Sequence, residues 1–161
     1  MGGVYLEDTR QQAGKHKLKH EWWRGHDVAL VRSKLAFGDY CLPPAVAVDT
    51  KASLFELAAN IDAEHERFRR ELVGARDAGV RLVILVENED GVTDLDTLSR
   101  WRESDADYRR RKFAQRRIEG SRLAKACATM ERRYGVTFLF CAPEDAARVV
   151  TEILEGSYEL E

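Results

Sequence analysis

At 161 residues and 18.4 kDa, the chain is long enough to bury one sizeable core without disulfides or a structural metal, so one domain over 1–161 is expected. The near balance of 26 basic against 28 acidic side chains argues against a protein that coats nucleic acid indiscriminately. No apolar run reaches the roughly eighteen residues of a membrane span, and Glu7 and Asp8 interrupt the N-terminus before a signal peptide could form, so no membrane partner and a cytoplasmic location are expected.

In chain order, GVYLE at 3–7 reads as a short strand that ends at Asp8. KHKLKHEWWRGH places Leu18, Trp22 and Trp23 near helical spacing and predicts a helix ending near Gly25. VALVRSKL at 28–35 is a strand candidate. DYCLP and AVAVDTKA follow as two strands, and the break at Pro43 and Pro44 suits a hairpin. Ser53 and Glu56 have capping-box spacing, and the helix that begins there is expected to run through about Ala78.

Gly79 stops that helix, and VRLVILVEN at 80–88 is apolar and β-branched enough to be a central strand buried on both faces. Residues 94–117 are charged without a clear period. A helix is expected after Gly120 with Leu123, Cys127 and Met130 on one face, then the strand VTFLFC at 136–141, then a helix opened by Pro143. Strands and helices alternating in this way indicate the α/β class, with a mixed β-sheet flanked by α-helices. Cys41, Cys127 and Cys141 lie among apolar neighbours without metal-ligand spacing and read as packed thiols.

Asp8, Asp39, Asp49 and Lys51 all fall at or near strand ends, where a sheet could gather them on one edge. Carboxylates brought that close repel one another unless a cation sits among them, and hard oxygen ligands suit Mg²⁺ or Mn²⁺. Lys51 lies two residues after Asp49 and therefore on the same face of its strand. There it could orient water and offset charge in phosphodiester hydrolysis. Taken alone, the Asp-x-Lys spacing reads first as a surface ion pair between Asp49 and Lys51.

Three motifs in order make the chain resemble the nuclease domain of the XPF-type structure-specific endonucleases, a branch of the PD-(D/E)XK superfamily. They are Asp8-Thr9-Arg10, Gly38-Asp39-Tyr40 and Asp49-Thr50-Lys51, followed by Arg67 in EHERFRRE and Glu87 in LVILVEN. The resemblance implies a restriction-endonuclease-like fold. It implies a metal-dependent DNA endonuclease using Mg²⁺ or Mn²⁺, in which Asp39, Asp49 and the Thr50 carbonyl hold the metal and Asp8 completes the acidic group. Lys51 is then the catalytic lysine, and Arg10 and Arg67 contact phosphate or position the acids.

Two positions depart from the family pattern. Asp49-Thr50 stands where Glu-Arg is usual, and Phe55, with Glu56 beside it, stands where an aspartate is usual. The chain has no room for the helix-hairpin-helix domain of many relatives, and is similar in that respect to small stand-alone nucleases of phages and prophages.

A DNA substrate, branched or otherwise structured, is the expected partner, with repair or recombination as the setting. A second copy of the chain is a candidate partner, and no nucleotide cofactor is expected. Phosphate contacts are expected from Lys15, Lys17 and their neighbours His16, Lys19 and His20, and from the basic run holding Arg109, Arg110, Arg111, Lys112, Arg116 and Arg117. That run reads equally as a solvated helix face. The competing function is a non-catalytic DNA-binding or scaffold protein on the same fold.

Overall fold

A computed structural model describes residues 4–12, 14–42, 46–111, 114 and 116–158. Pro43, Pro44 and Lys112 lie outside the described residues.

The strands are β1 (Val4–Asp8), β2 (Ala29–Ser33), β3 (Tyr40–Leu42), β4 (Val46–Lys51), β5 (Arg81–Glu87) and β6 (Thr137–Cys141). They form one six-stranded sheet in the order β2-β1-β3-β4-β5-β6. The pairs β1–β2, β4–β5 and β5–β6 are parallel, whereas β3 runs antiparallel to both β1 and β4. The sheet is therefore mixed, as the alternation of elements predicts. β5, the most apolar run, is buried from Leu82 to Glu87 between two parallel neighbours.

Period-two alternation divides the strands between two helical layers. On one face Ala47, Leu82, Ile84, Val86 and Phe138 meet α2 (Leu54–Ile61), α3 (His65–Asp77), α4 (Leu95–Arg100) and α6 (Gly120–Tyr134). On the other, Tyr5, Tyr40, Val48, Val83 and Leu85 meet α1 (Lys17–Gly25) and α7 (Ala146–Leu154), with Trp23 at the centre. The three cysteines are free thiols, with Cys127 and Cys141 buried and Cys41 half-buried.

Three expectations change. The long helix after Ser53 is two helices, because the chain turns at Asp62–Glu64, where both Asp62 carboxylate oxygens are taken up by Arg122 at 2.7 and 2.6 Å. Leu18 is exposed: α1 buries the stripe of Lys19 and Trp23, four residues apart, instead of the leucine. The segment without a clear period contains α4 and α5 (Asp105–Arg110), whose starts are capped by Asp94 and Ser104.

Gly120 explains how α6 lies so close to α4. A Cβ there would fall 2.0 Å from the Leu98 carbonyl oxygen and 2.5 Å from that of Trp101.

Candidate active site

The strand register lines up the acidic residues. Glu7 opposes Tyr40, and Tyr40 opposes Val48, so one step further Asp8, Asp39 and Asp49 sit in a row across β1, the start of β3 and β4. Two backbone bonds carry the row past the strand ends, from Asp8 N to Asp39 O at 2.7 Å and from Asp39 N to Val48 O at 2.8 Å. Directly opposed residues of an antiparallel pair share a face, so the three side chains belong to the α2–α3 side. Gly38 makes the approach feasible: its φ is +73°, and a Cβ would stand 3.0 Å from the Val48 carbonyl oxygen.

The row borders a cleft of about 600 Å³ that also takes in Arg10, Lys15, Lys51, Arg67 and Glu87. Asp8 is buried and already occupied. Its Oδ2 accepts from Arg10 Nε at 2.5 Å, and its Oδ1 accepts from the Leu35 and Arg10 amides, both at 3.4 Å. The Asp39 Oδ2 accepts from both the amide and the hydroxyl of Thr50, at 2.6 and 2.8 Å, which fixes the carboxylate against β4. Thr50 thus orients Asp39 through its donors.

Asp49 and Lys51 are both buried, and Nζ lies 2.6 Å from Asp49 Oδ2. The contact is an ion pair whose angle misses hydrogen-bond geometry, so Oδ2 is sealed from solvent without a directed donor. Burial first, and the neighbouring Asp39 second, push the Asp49 carboxyl well above the ordinary carboxylate range. Burial, the largest single influence, would lower the lysine, but the combined attraction of Asp49, Glu71 and Asp39 outweighs it, and Lys51 is held above its usual value.

Among the described residues, no three His, Cys, Asp or Glu side chains stand close enough to form a ready-made metal cluster. Asp8 therefore borders the row without closing it into a three-carboxylate group, because Arg10 and two backbone amides engage it. The Asp39–Asp49 pair nevertheless fits a hard divalent ion. An under-coordinated buried oxygen and two mutually repelling carboxylates are what such an ion offsets, and Mg²⁺ commonly takes only one or two protein carboxylates with the rest water and substrate.

Of the other predicted contacts, Arg10, Lys15 and Arg67 face the cleft and are exposed, with Arg67 also paired to Glu64. Lys17 is exposed on α1 outside the cleft lining. Lys19 is not a surface residue: it is buried, with Nζ 2.6 Å from the Glu87 carboxylate. His20 is held by the buried Glu7 at 2.6 Å, and His65 is exposed beside Glu66.

Arg109, Arg110, Arg111, Arg116 and Arg117 lie outside the cleft lining. Arg111 grips the buried Glu103 through Nε and a terminal nitrogen at 2.6 and 2.7 Å, Arg110 lies 3.4 Å from Asp107, and Arg117 pairs with Asp105. Glu71 and Asn60 are among the cleft residues that escaped sequence reasoning. Glu71 accepts from the Gly38 amide at 3.3 Å, and Asn60 is buried with an unpartnered Oδ1. Their signal was available: each is a polar residue on the core-facing stripe of its helix, beside Leu57 in one case and beside Phe68 and Leu72 in the other.

No protein-family model matches this chain, and no curated protein does. Among solved structures it is similar to XPF from Aeropyrum pernix and to the same protein in complex with DNA. Each superposes with a TM-score of 0.64 at 17% sequence identity, over 96% of this chain. The chain spans 64% of the length of those structures. The likeness shows a shared fold, one that carries this chain's mixed sheet and flanking helices.

Proposed function

We propose that the protein is a metal-dependent DNA endonuclease that hydrolyses phosphodiester bonds in branched or otherwise structured DNA. The observation that carries this reading is the buried Asp49–Lys51 pair, with the half-buried Asp39 beside it, at the floor of an open polar cleft, and one Asp49 oxygen left without a directed donor. Charge buried with incomplete pairing is costly, and a purely structural role would have favoured apolar side chains. The fold shared with XPF, seen in that protein with DNA bound, supports the same reading.

In this proposal Asp39 and Asp49 hold Mg²⁺ or Mn²⁺, which supplies an activated water and neutralises phosphoryl charge when bound. Thr50 fixes the Asp39 carboxylate by two hydrogen bonds. Lys51 gives up part of its pairing with Asp49 and offers its ammonium to the phosphoryl oxygens as their charge grows. Asp8 and Arg10 form the cleft's near wall, and Arg10, Lys15 and Arg67 contact backbone phosphates, which position DNA without reading its bases.

The test is a panel of flap, fork, junction, single-stranded and linear DNA incubated with Mg²⁺ or Mn²⁺, paired with calorimetric titration of Mn²⁺. Cleavage of at least one structured substrate, with a binding heat that Asp39→Ala abolishes, is expected. DNA binding with neither cleavage nor metal heat would instead establish the non-catalytic binding protein.

A further inference from the structure

A second concavity, about 630 Å³, lies apart from the catalytic cleft and shares no lining residue with it. Its walls are the end of α4, the segment after it, and the start of α6. Arg100, Arg102 and Arg117 line it together with Trp101 and Ser121. We propose that this concavity is a second DNA-binding site, which holds the phosphodiester backbone of a DNA arm while the strand to be cut lies in the Asp39–Asp49 cleft. The proposal rests on the nuclease reading above and assigns where a structured substrate makes its second contact.

Three observations carry it. The first is the state of the cations. Among the described residues the Arg102 guanidinium has no carboxylate partner, and its main chain is held by a bridge to Glu119. The Arg100–Asp96 pair leaves both side chains about 70% exposed (69% and 72%), and the Arg117–Asp105 pair is exposed as well. Such exposed pairs contribute little, so a phosphate can exchange with the aspartates, and guanidinium binds phosphate in a two-pronged geometry that carboxylates only match.

The second is the state of the anions. Glu103, the buried acid at the concavity, does not repel a polyanion, because Arg111 and the Ile118 amide consume its charge through bonds at 2.6, 2.7 and 2.9 Å. Glu119 is the remaining acid in the lining, against three arginines. The same carboxylate ties two wall residues together, since Ile118 donates its amide to Glu103.

The third is position. Trp101 packs edge-on against Phe55, with ring centroids 6.1 Å apart, and Phe55 lies in the first turn of the helix that follows Lys51. One aromatic contact therefore ties the wall of the second concavity to the helix that directly follows the strand carrying Lys51. A strand in the cleft and an arm in the concavity would be neighbours.

The experiment measures binding of a fluorescent forked DNA and of its isolated single strand by anisotropy, in chelator, across a salt series. Wild type is compared with Arg102→Ala and with Ser121→Asp. The second variant adds a carboxylate to the concavity while placing an acid in the first turn of α6, where it favours the helix. Both variants are expected to bind the fork about fivefold more weakly at low salt, with the salt slope of Arg102→Ala shallower by about one, and to bind the single strand as wild type does. Fork binding and salt slope unchanged in both variants would overturn the second site while leaving the nuclease reading intact. Failure of the wild type to bind either DNA would instead overturn that reading.

Discussion

Asp49 and Glu103 are both carboxylates shut inside the protein, and their surroundings move them in opposite directions. Glu103 accepts two bonds from Arg111 and one from the Ile118 amide, and the arginine bonds hold its carboxyl below the ordinary range. Asp49 has a single badly directed contact with Lys51 and another carboxylate beside it, and burial pushes it up. Burial alone therefore does not mark a functional acid. A buried charge with its partners in place stabilises a loop, whereas one with partners missing is a place where something else binds.

The largest effect that separates the two regions is catalytic. Asp49→Asn should reduce cleavage by on the order of 10³-fold or more, by analogy with the loss of a single electrostatic contact in other sites, while the unfolding midpoint moves little. Glu103→Gln should leave cleavage at low temperature near the wild-type rate. Initial rates on the preferred substrate, with thermal unfolding of the same samples, check both halves. Equal losses of activity would break the distinction.

Stability should show the reverse. Glu103→Ala takes away the carboxylate partner of Arg111 and leaves the Ile118 amide without its acceptor, and is expected to cost about 3 kcal/mol, or about 6–12 °C in Tm for a chain of this size. Acid titration sharpens the same point. A carboxyl whose folded pKa is depressed contributes stability that is complete above its unfolded value and is lost as pH falls through the folded one. Wild type should therefore lose stability below the ordinary carboxylate range, and the fall should be shallower in Glu103→Gln, as measured by Tm between neutral and acid pH.

The row of acids was legible because its ingredients are local: strand ends, the Gly38 turn and the two-residue offset of Asp49 and Lys51 can be read along the chain. The sheet followed for the same reason, since its strands are bounded apolar runs. What escaped depends on partners distant in sequence. Arg122 reaches back to Asp62 at the break between the two helices that the sequence reads as one. Leu18 looked apolar enough for the core, but α1 turns Lys19 inward because Glu87, at the end of β5, waits for it. The basic run looked like one phosphate grip, yet Arg111 is spent on Glu103. No spacing rule shows which arginine meets a buried acid and which stays free.

Lys19 and Glu87 form the pair that tests the comparison most finely, because they sit at the cleft but are joined as in the clamp, 2.6 Å apart with both side chains under a tenth exposed (5% and 9%). If the pair is structural, its charges can be removed together without harm. A buried ion pair replaced by apolar side chains of similar volume is commonly neutral or stabilising, since the lost attraction is matched by the desolvation no longer paid. Lys19→Met combined with Glu87→Leu should therefore keep Tm within about 3 °C, a change of about 1 kcal/mol or less, and keep cleavage within a few fold. Lys19→Met alone strands the Glu87 carboxylate and should be clearly less stable than the double variant. A double variant that folds with wild-type Tm but no longer cleaves would move Lys19 and Glu87 from the clamp's class into that of Asp49.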